Sequence, residues 1–306
     1  MRPVLYPETR RALARDALEG LATGDAYGAQ HFTRPELRTP PWPWTDDTQM
    51  AAVLVAHLHT RDTVDQDKLA KAWATACEPG RGYGVGAYLT LQAIVAGTPW
   101  PDAARDGFGG QGSYGNGAAM RVAPLGAYHA GDPARAAEQA QAQAVVTHAH
   151  PEGVAGAVAV AVAASTAAYA RLTGARPDLL AAALQHVDPA TTVAKLLRKA
   201  RNIRNVQQAA SVLGTGERVT AQDTVPYTIW VANRFLGDFT AGIEACCTAG
   251  GDIDTTAAIT GGILAAHDPA LPPDWVQARE PLPQVAGRQQ PEPQQTEPEN
   301  NQIAGR

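Results

Sequence analysis

Two short stretches of the chain cluster oxygen donors just ahead of an apolar helix. Residues 42–54 read WPWTDDTQMAAVL, with Thr45, Asp46, Asp47 and Thr48 before an apolar run. Residues 249–266 read AGGDIDTTAAITGGILAA, with Asp252, Asp254 and Thr255 in the equivalent place. Each alone reads as helix capping. Thr45 or Asp46 would accept hydrogen bonds from the first free amides, and Asp46 with Gln49 fits a loose capping box. In the second stretch Asp254 would cap and Asp252 would be solvated. Together the two stretches permit another chemistry. Four converging carboxylates repel one another unless divalent cations lie between them, and hard oxygen ligands suit Mg²⁺ or Mn²⁺. Two such ions could position and activate a water. Asp252 and Asp254 would diverge on a regular helix, but a glycine-led turn could aim both at one point.

Between these stretches, residues 108–126 read FGGQGSYGNGAAMRVAPLG. Backbone amides of such a loop can face an anion, as can the start of the helix that Gly117 would open. Phe108 and Tyr114 could stack on a flat ring, or the loop could be a surface feature with a structural aromatic. His148 and His150 lie in VVTHAHPEG and match no zinc spacing; a lone histidine is more often a structural hydrogen-bonder. Cys77, Cys246 and Cys247 form neither a zinc motif nor a disulfide framework, which fits a reduced, cytoplasmic setting.

The elements that must position these residues are helical. Apolar residues recur at helical spacing after Thr9, a candidate cap, through residue 29. Further helices are expected at 50–59, 65–77, 88–96, 118–128, 133–147, 153–172, 179–186, 191–200, 205–213, 226–234, 239–247 and 256–266. Strand-like alternation is nearly absent, and abundant alanine favours helix. The expectation is a single all-α, multi-helix domain over residues 1–280. A Pro/Gln/Glu-rich disordered tail follows over 281–306.

The chain has 306 residues, 45% hydrophobic and 18% charged, enough to bury a sizeable core. A net charge of -5 gives no global basic face for nucleic acid. Residues 153–170 carry no charge, but alanine, glycine, serine and threonine dominate them. They therefore read as a buried core helix rather than a membrane span.

In order along the chain, GLATGDAYGAQ, WTDDTQM, GSYGNGAAMR, THAHP and GGDIDTTAAITGG resemble the signatures of the ADP-ribosylglycohydrolase family, also called the dinitrogenase reductase-activating glycohydrolase family. They span residues 20–262. The pairing of TDDT with GGDxDT is the specific part. The resemblance implies an all-α fold with a binuclear Mg²⁺ centre, sometimes Mn²⁺, ligated by Thr45, Asp46, Asp47, Asp252, Asp254 and Thr255. It implies hydrolysis of the bond between C1″ of an ADP-ribosyl group and an acceptor, often arginine or serine. Gly112, Ser113, Tyr114, Gly115 and Asn116 would hold the diphosphate and distal ribose. Phe108 and Tyr114 would sandwich or flank the adenine, and His148 would hydrogen-bond the distal ribose. Asp47 and Asp252 are the residues expected to orient or deprotonate the attacking water. The SYGNGAAMR wording is similar to members acting on O-linked ADP-ribose, including ADP-ribosyl-serine.

One departure stands out. Many members carry a glutamate seven residues after the aspartate of the GDAxG motif; here Phe32 occupies that place, preceded by Gln30 and His31 and followed by Glu36. The expected protein is a cytoplasmic monomer acting on ADP-ribosyl conjugates, with no membrane partner; nucleic acid enters only as an ADP-ribosylated substrate. Two other readings stay open: a dinuclear-metal nucleotide phosphohydrolase, and an ADP-ribose-binding sensor weakened in catalysis by Phe32.

Overall fold

Alanine- and glycine-rich helices can approach closely, and this chain is built on that property. The computed structural model describes residues 5–32 and 37–283. Among them are sixteen α-helices and no strand, only two isolated β-bridges. In order the helices are α1 Pro7–Gly28, α2 Asp46–Arg61, α3 Gln66–Ala76, α4 Val85–Val95, α5 Trp100–Asp106, α6 Gly117–Met120, α7 Ala123–Tyr128 and α8 Pro133–Ala144. There follow α9 Pro151–Thr173, α10 Leu179–Leu184, α11 Thr192–Ala200, α12 Val206–Leu213, α13 Ala221–Arg234, α14 Phe239–Ala249, α15 Ile253–His267 and α16 Pro273–Ala278. The fold is all-α. Glu36 and residues 284–306, hence nearly all of the expected tail, lie outside the described residues.

The central contact is between α1 and α15, the most extensive helix pair in the fold. Gly20, Gly24 and Gly28 repeat every four residues and so share one face of α1. A Cβ on Gly24 would stand 2.3 Å from the Ala257 carbonyl oxygen. One on Gly20 would stand 2.2 Å from Ala265 Cβ, and one on Gly28 2.7 Å from the Ile253 oxygen. Only glycine leaves room for this approach. It brings residue 25 beside residues 253–257, from opposite ends of the chain.

α9 runs through the core, packed by α7, α8, α10, α13 and α15. Its mean hydropathy of 1.6 would suffice for a membrane span, yet 83% of that window is buried inside the fold, as expected of a core helix. A large apolar cluster extends from Leu13 to Ala266 through these helices.

Several boundaries differ from those expected, each for a local reason. α1 begins at Pro7, with Tyr6 and not Thr9 as its N-cap, since proline suits a first turn that needs no N–H. The helix expected at 118–128 breaks into α6 and α7, because Pro124 has no amide to donate back to residue 120. α13 starts at Ala221 and carries Pro226 within it, rather than starting there. α5 and α16 are short helices that the periodicity did not single out.

Candidate active site

α2 begins earlier than its apolar run, at the aspartates themselves. Thr45 is its N-cap, with Oγ1 accepting from the Asp47 amide at 3.4 Å, so Asp46 and Asp47 open the first turn. The Asp46–Gln49 capping box does not form: Gln49 Oε1 accepts instead from Tyr83 Oη at 2.8 Å and the Glu78 amide at 3.2 Å. The preceding tryptophans pin the turn. Trp44 Nε1 donates to the Pro281 carbonyl, and its ring lies under Arg81, which is salt-bridged to Glu280 at 2.7 Å.

Asp25, on α1, is the buried anchor of this turn. Its carboxylate accepts from the Thr45 amide at 3.0 Å, Thr45 Oγ1 at 2.9 Å, the Thr48 amide at 3.2 Å and Thr48 Oγ1 at 2.5 Å. It therefore caps α2 from another helix. Its role is not legible locally, although an aspartate inside the apolar GLATGDAYGA run is a signal, since a fully buried carboxylate needs such partners.

The second acidic turn reaches the same cleft from α15. Gly250 and Gly251 precede it at φ of +73° and +78°, and a Cβ on Gly251 would meet the Thr215 carbonyl oxygen at 2.3 Å. Asp252, not Asp254, is the N-cap residue of α15. Its Oδ2 accepts from Asn116 Nδ2 at 2.7 Å, while Asp254 Oδ1 accepts from the Thr255 amide at 2.8 Å.

Asp46, Asp47, Asp252, Asp254 and Thr255 all line one cavity of about 980 Å³. Thr45 stands behind that wall, its hydroxyl between Asp25 Oδ1 and Asp47 Oδ2 (3.1 Å). A hydroxyl carries one hydrogen, so it cannot donate to both carboxylates at once. Burial first, and then their neighbours' charges, push Asp46 up to about 7 and Asp47 and Asp254 well above the usual carboxylate range. Asp25 is raised to about 6 by burial despite its four donors. Asp47 Oδ1 is buried without a hydrogen-bond partner. No three His, Cys, Asp or Glu side chains among the described residues are already gathered as a metal-ligating cluster. Support for a cation therefore comes from donor chemistry and electrostatics rather than from a closed shell.

The glycine-rich loop forms the cavity's other wall. Phe108, Ser113, Tyr114, Gly115, Asn116 and His148 line it, whereas Gly112 packs behind, against Ala149. Phe108 is half exposed in a left-handed conformation (φ 57°), and its ring lies 5.0 Å from Tyr114 at 47°. The two rings are too close to admit a third between them, so they form one wall that a flat group can flank. Asn116 is committed to Asp252 and, at 3.1 Å, to Thr224 Oγ1. Arg218 also lines the cavity, and no sequence motif singles it out.

His150 caps α9, accepting from the Glu152 amide at 3.1 Å, and so is structural. Phe32 ends a short 3₁₀ turn at 48% exposure and does not line the cavity. Below the acidic cluster lies Arg121, fully buried, stacked on Trp73 at 3.8 Å and with none of its hydrogen bonds going to a carboxylate.

Known proteins place this architecture. The chain matches the family model for ADP-ribosylglycohydrolase over residues 6–297. It is similar to the ADP-ribosylhydrolase ARH3 of Gallus gallus, at 28% identity over 78% of this chain and 74% of the relative. It is similar to the ADP-ribosylarginine hydrolase Tri1 of Pseudomonas putida, at 26% identity over 89% and 76%. A solved structure described as an ADP-ribosylglycohydrolase-related protein complex aligns at a TM-score of 0.64 and 25% identity, covering 89% of this chain and 94% of that one. The chain belongs to the ADP-ribosylglycohydrolase family.

Proposed function

We propose that this protein hydrolyses the glycosidic bond between C1″ of ADP-ribose and an acceptor group, reversing mono-ADP-ribosylation of a protein side chain or a related conjugate. One observation carries the reading. Two acidic helix starts from opposite ends of the chain share a cavity with an aromatic pair and a glycine-rich loop.

Thr45, Asp46, Asp47, Asp252, Asp254 and Thr255 are the residues that would hold two Mg²⁺ ions, or Mn²⁺. The donor set is all oxygen, Asp47 Oδ1 is buried and unpartnered, and three of the carboxylates resist ionising beside one another. Bound there, the ions would lower the pKa of a water and neutralise the cluster.

The chain's own groups account for the rest. Asp47 or Asp252 orients the water and takes its proton; the water oxygen bonds to C1″ as the bond from C1″ to the acceptor breaks. Nearby carboxylates stabilise the oxocarbenium-like charge that develops. Phe32 supplies no proton, so the departing acceptor must take one from the acidic cluster or from solvent. Arg218 and the loop amides offer positive potential to the diphosphate, and the Phe108–Tyr114 wall offers a face to the adenine.

The test is a release assay with Mg²⁺ against arginine, serine, nucleic-acid and acetyl conjugates of ADP-ribose. Free ADP-ribose with its diphosphate intact is the expected product, abolished by EDTA. Cleavage within the diphosphate would favour a phosphohydrolase. Tight ADP-ribose binding with no release from any conjugate would favour the sensor, the reading that Phe32 supports. Full turnover in EDTA would overturn the metal assignment.

A further inference from the structure

His148 shows a hydrogen-bond pattern that fixes which of its ring nitrogens carries the proton. Thr147 Oγ1 lies 2.9 Å from Arg121 Nη2 and 2.8 Å from His148 Nδ1. A guanidinium only donates, so the threonine oxygen must accept from Arg121. The remaining Arg121 bonds leave it no freedom to turn: Nε donates to Gln143 Oε1 at 2.8 Å, Nη2 also to the Gln143 carbonyl at 3.2 Å, and Nη1 to Met50 Sδ. Gln143 is oriented in turn by donating Nε2–H to the Ala118 carbonyl at 3.0 Å.

The threonine hydrogen then has one acceptor within reach, His148 Nδ1. Were Nδ1 protonated, Thr147 would accept twice and its own hydrogen would be stranded at a site 1% exposed. Nδ1 is therefore the bare nitrogen and Nε2 carries the hydrogen. Nε2 has no hydrogen-bond partner among the described residues and faces the glycines of the loop. A Cβ on Gly117 would stand 2.9 Å from it, and one on Gly115 3.3 Å. The glycines keep that approach open to the cavity that His148 lines. Burial, and then the Arg121 charge, hold the ring's pKa down at about 3, so it is neutral, while Arg121, lowered by burial to about 9, stays charged.

We propose that Arg121 and Thr147 are positioning residues that lock His148 as the Nε2–H tautomer, making it a donor to a ligand oxygen in the cleft. This rests on the ADP-ribose reading only for the identity of that oxygen, a hydroxyl of the distal ribose acting as acceptor. Arg121 thus acts on the ligand at one remove, through a hydroxyl and an imidazole.

The tautomer is read directly from long-range ¹H–¹⁵N spectra of the full chain labelled at histidine, with the signal assigned by its loss in His148→Gln. A pyridine-type Nδ1 and a pyrrole-type Nε2 are expected near neutral pH; the reverse assignment overturns the proposal. Thr147→Val, which keeps the shape, should mix the tautomers and weaken ADP-ribose binding about five- to tenfold, as for loss of one hydrogen bond. Thr147→Ser should restore both to near wild type. Unchanged affinity in a folded Thr147→Val protein, or no rescue by serine, also overturns it. If valine prevents folding, the wild-type spectrum and the serine variant still decide. A wild-type chain with the Nε2–H tautomer but no affinity for ADP-ribose overturns the functional reading while leaving the relay supported.

Discussion

Asn116 Nδ2 lies 2.7 Å from Asp252 Oδ2, tying the glycine-rich loop to the acidic start of α15. The amide thereby holds one oxygen of the Asp252 carboxylate in a fixed direction at the cleft wall. Replacing Asn116 with alanine should lower ADP-ribose release about 10- to 100-fold, as for loss of an outer partner of a ligating carboxylate. Far-UV circular dichroism should be unchanged. Release within twofold of wild type would remove Asn116 from the site.

Asp25 serves stability before it serves chemistry. Asp25→Asn puts an amide nitrogen among the Thr45 and Thr48 donors and strands at least one of them. It should cost about 2–3 kcal/mol, read as a lower urea midpoint at unchanged m-value. No shift in midpoint would show that the four bonds contribute nothing net.

Gly24 tests the packing of α1 on α15. Its added Cβ would meet backbone rather than a movable side chain, at 2.3 Å from the Ala257 oxygen. Gly24→Ala should therefore destabilise by about 2–3 kcal/mol despite alanine's better helix propensity. A more stable variant would refute the close approach.

The acidic cluster makes stability depend on pH with a definite sign. Asp46, raised to about 7, Asp25, raised to about 6, and Asp47 and Asp254, raised well above the usual carboxylate range, keep protons that the unfolded chain has already released. Their contribution is present at low pH and lost as pH rises through the folded values. His129 and His148, held at about 4 and about 3, act oppositely but chiefly below the usual histidine value of 6.5. Between about pH 6.5, above which the histidines are neutral in both states, and about pH 7.5, the carboxylates dominate. In EDTA the melting temperature should fall over that interval, and Mg²⁺ should raise it most at the upper end, by mass action on the folded state. A flat or rising profile in EDTA would contradict the carboxylate values.

Phe32 should be dispensable. It is 48% exposed and away from the cavity wall, so Phe32→Ala should leave ADP-ribose release within about twofold and stability within about 0.5 kcal/mol. A large loss of release would give this position a part in substrate contact.

Much of this was legible in the chain itself, unevenly. The two acidic stretches announce themselves because helix starts need oxygen acceptors and these have too many. Their convergence is not local information: it depends on the Gly20, Gly24 and Gly28 stripe meeting α15, which the sequence displays only as small residues. Asp25 stands inside its motif with no legible role, since nothing near it in sequence shows that its donors come from residues 45 and 48. Asn116 reads from the sequence as a ligand-holding loop residue; the fold places it on the cavity wall and adds a bond from its amide nitrogen to Asp252 that no local pattern shows. Arg121 and Thr147 sit inside the GSYGNGAAMR and THAHP motifs, but their part in orienting His148 is not legible there, because a buried arginine satisfied by neutral partners has no spacing rule. Helix periodicity placed most helices but not their ends, which proline and capping side chains decide.

The docking of α1 on α15 also sets when the acidic cluster can assemble. Its acidic residues come from near positions 46 and 252, and no continuous fragment short of that span contains both. During synthesis the first half emerges with its carboxylates waiting for partners that do not yet exist. The cleft is completed only when the last long helix has left the ribosome and closed on the first. A chain that ends before α15 therefore lacks half of the acidic cluster, whatever else of the cavity wall it has made.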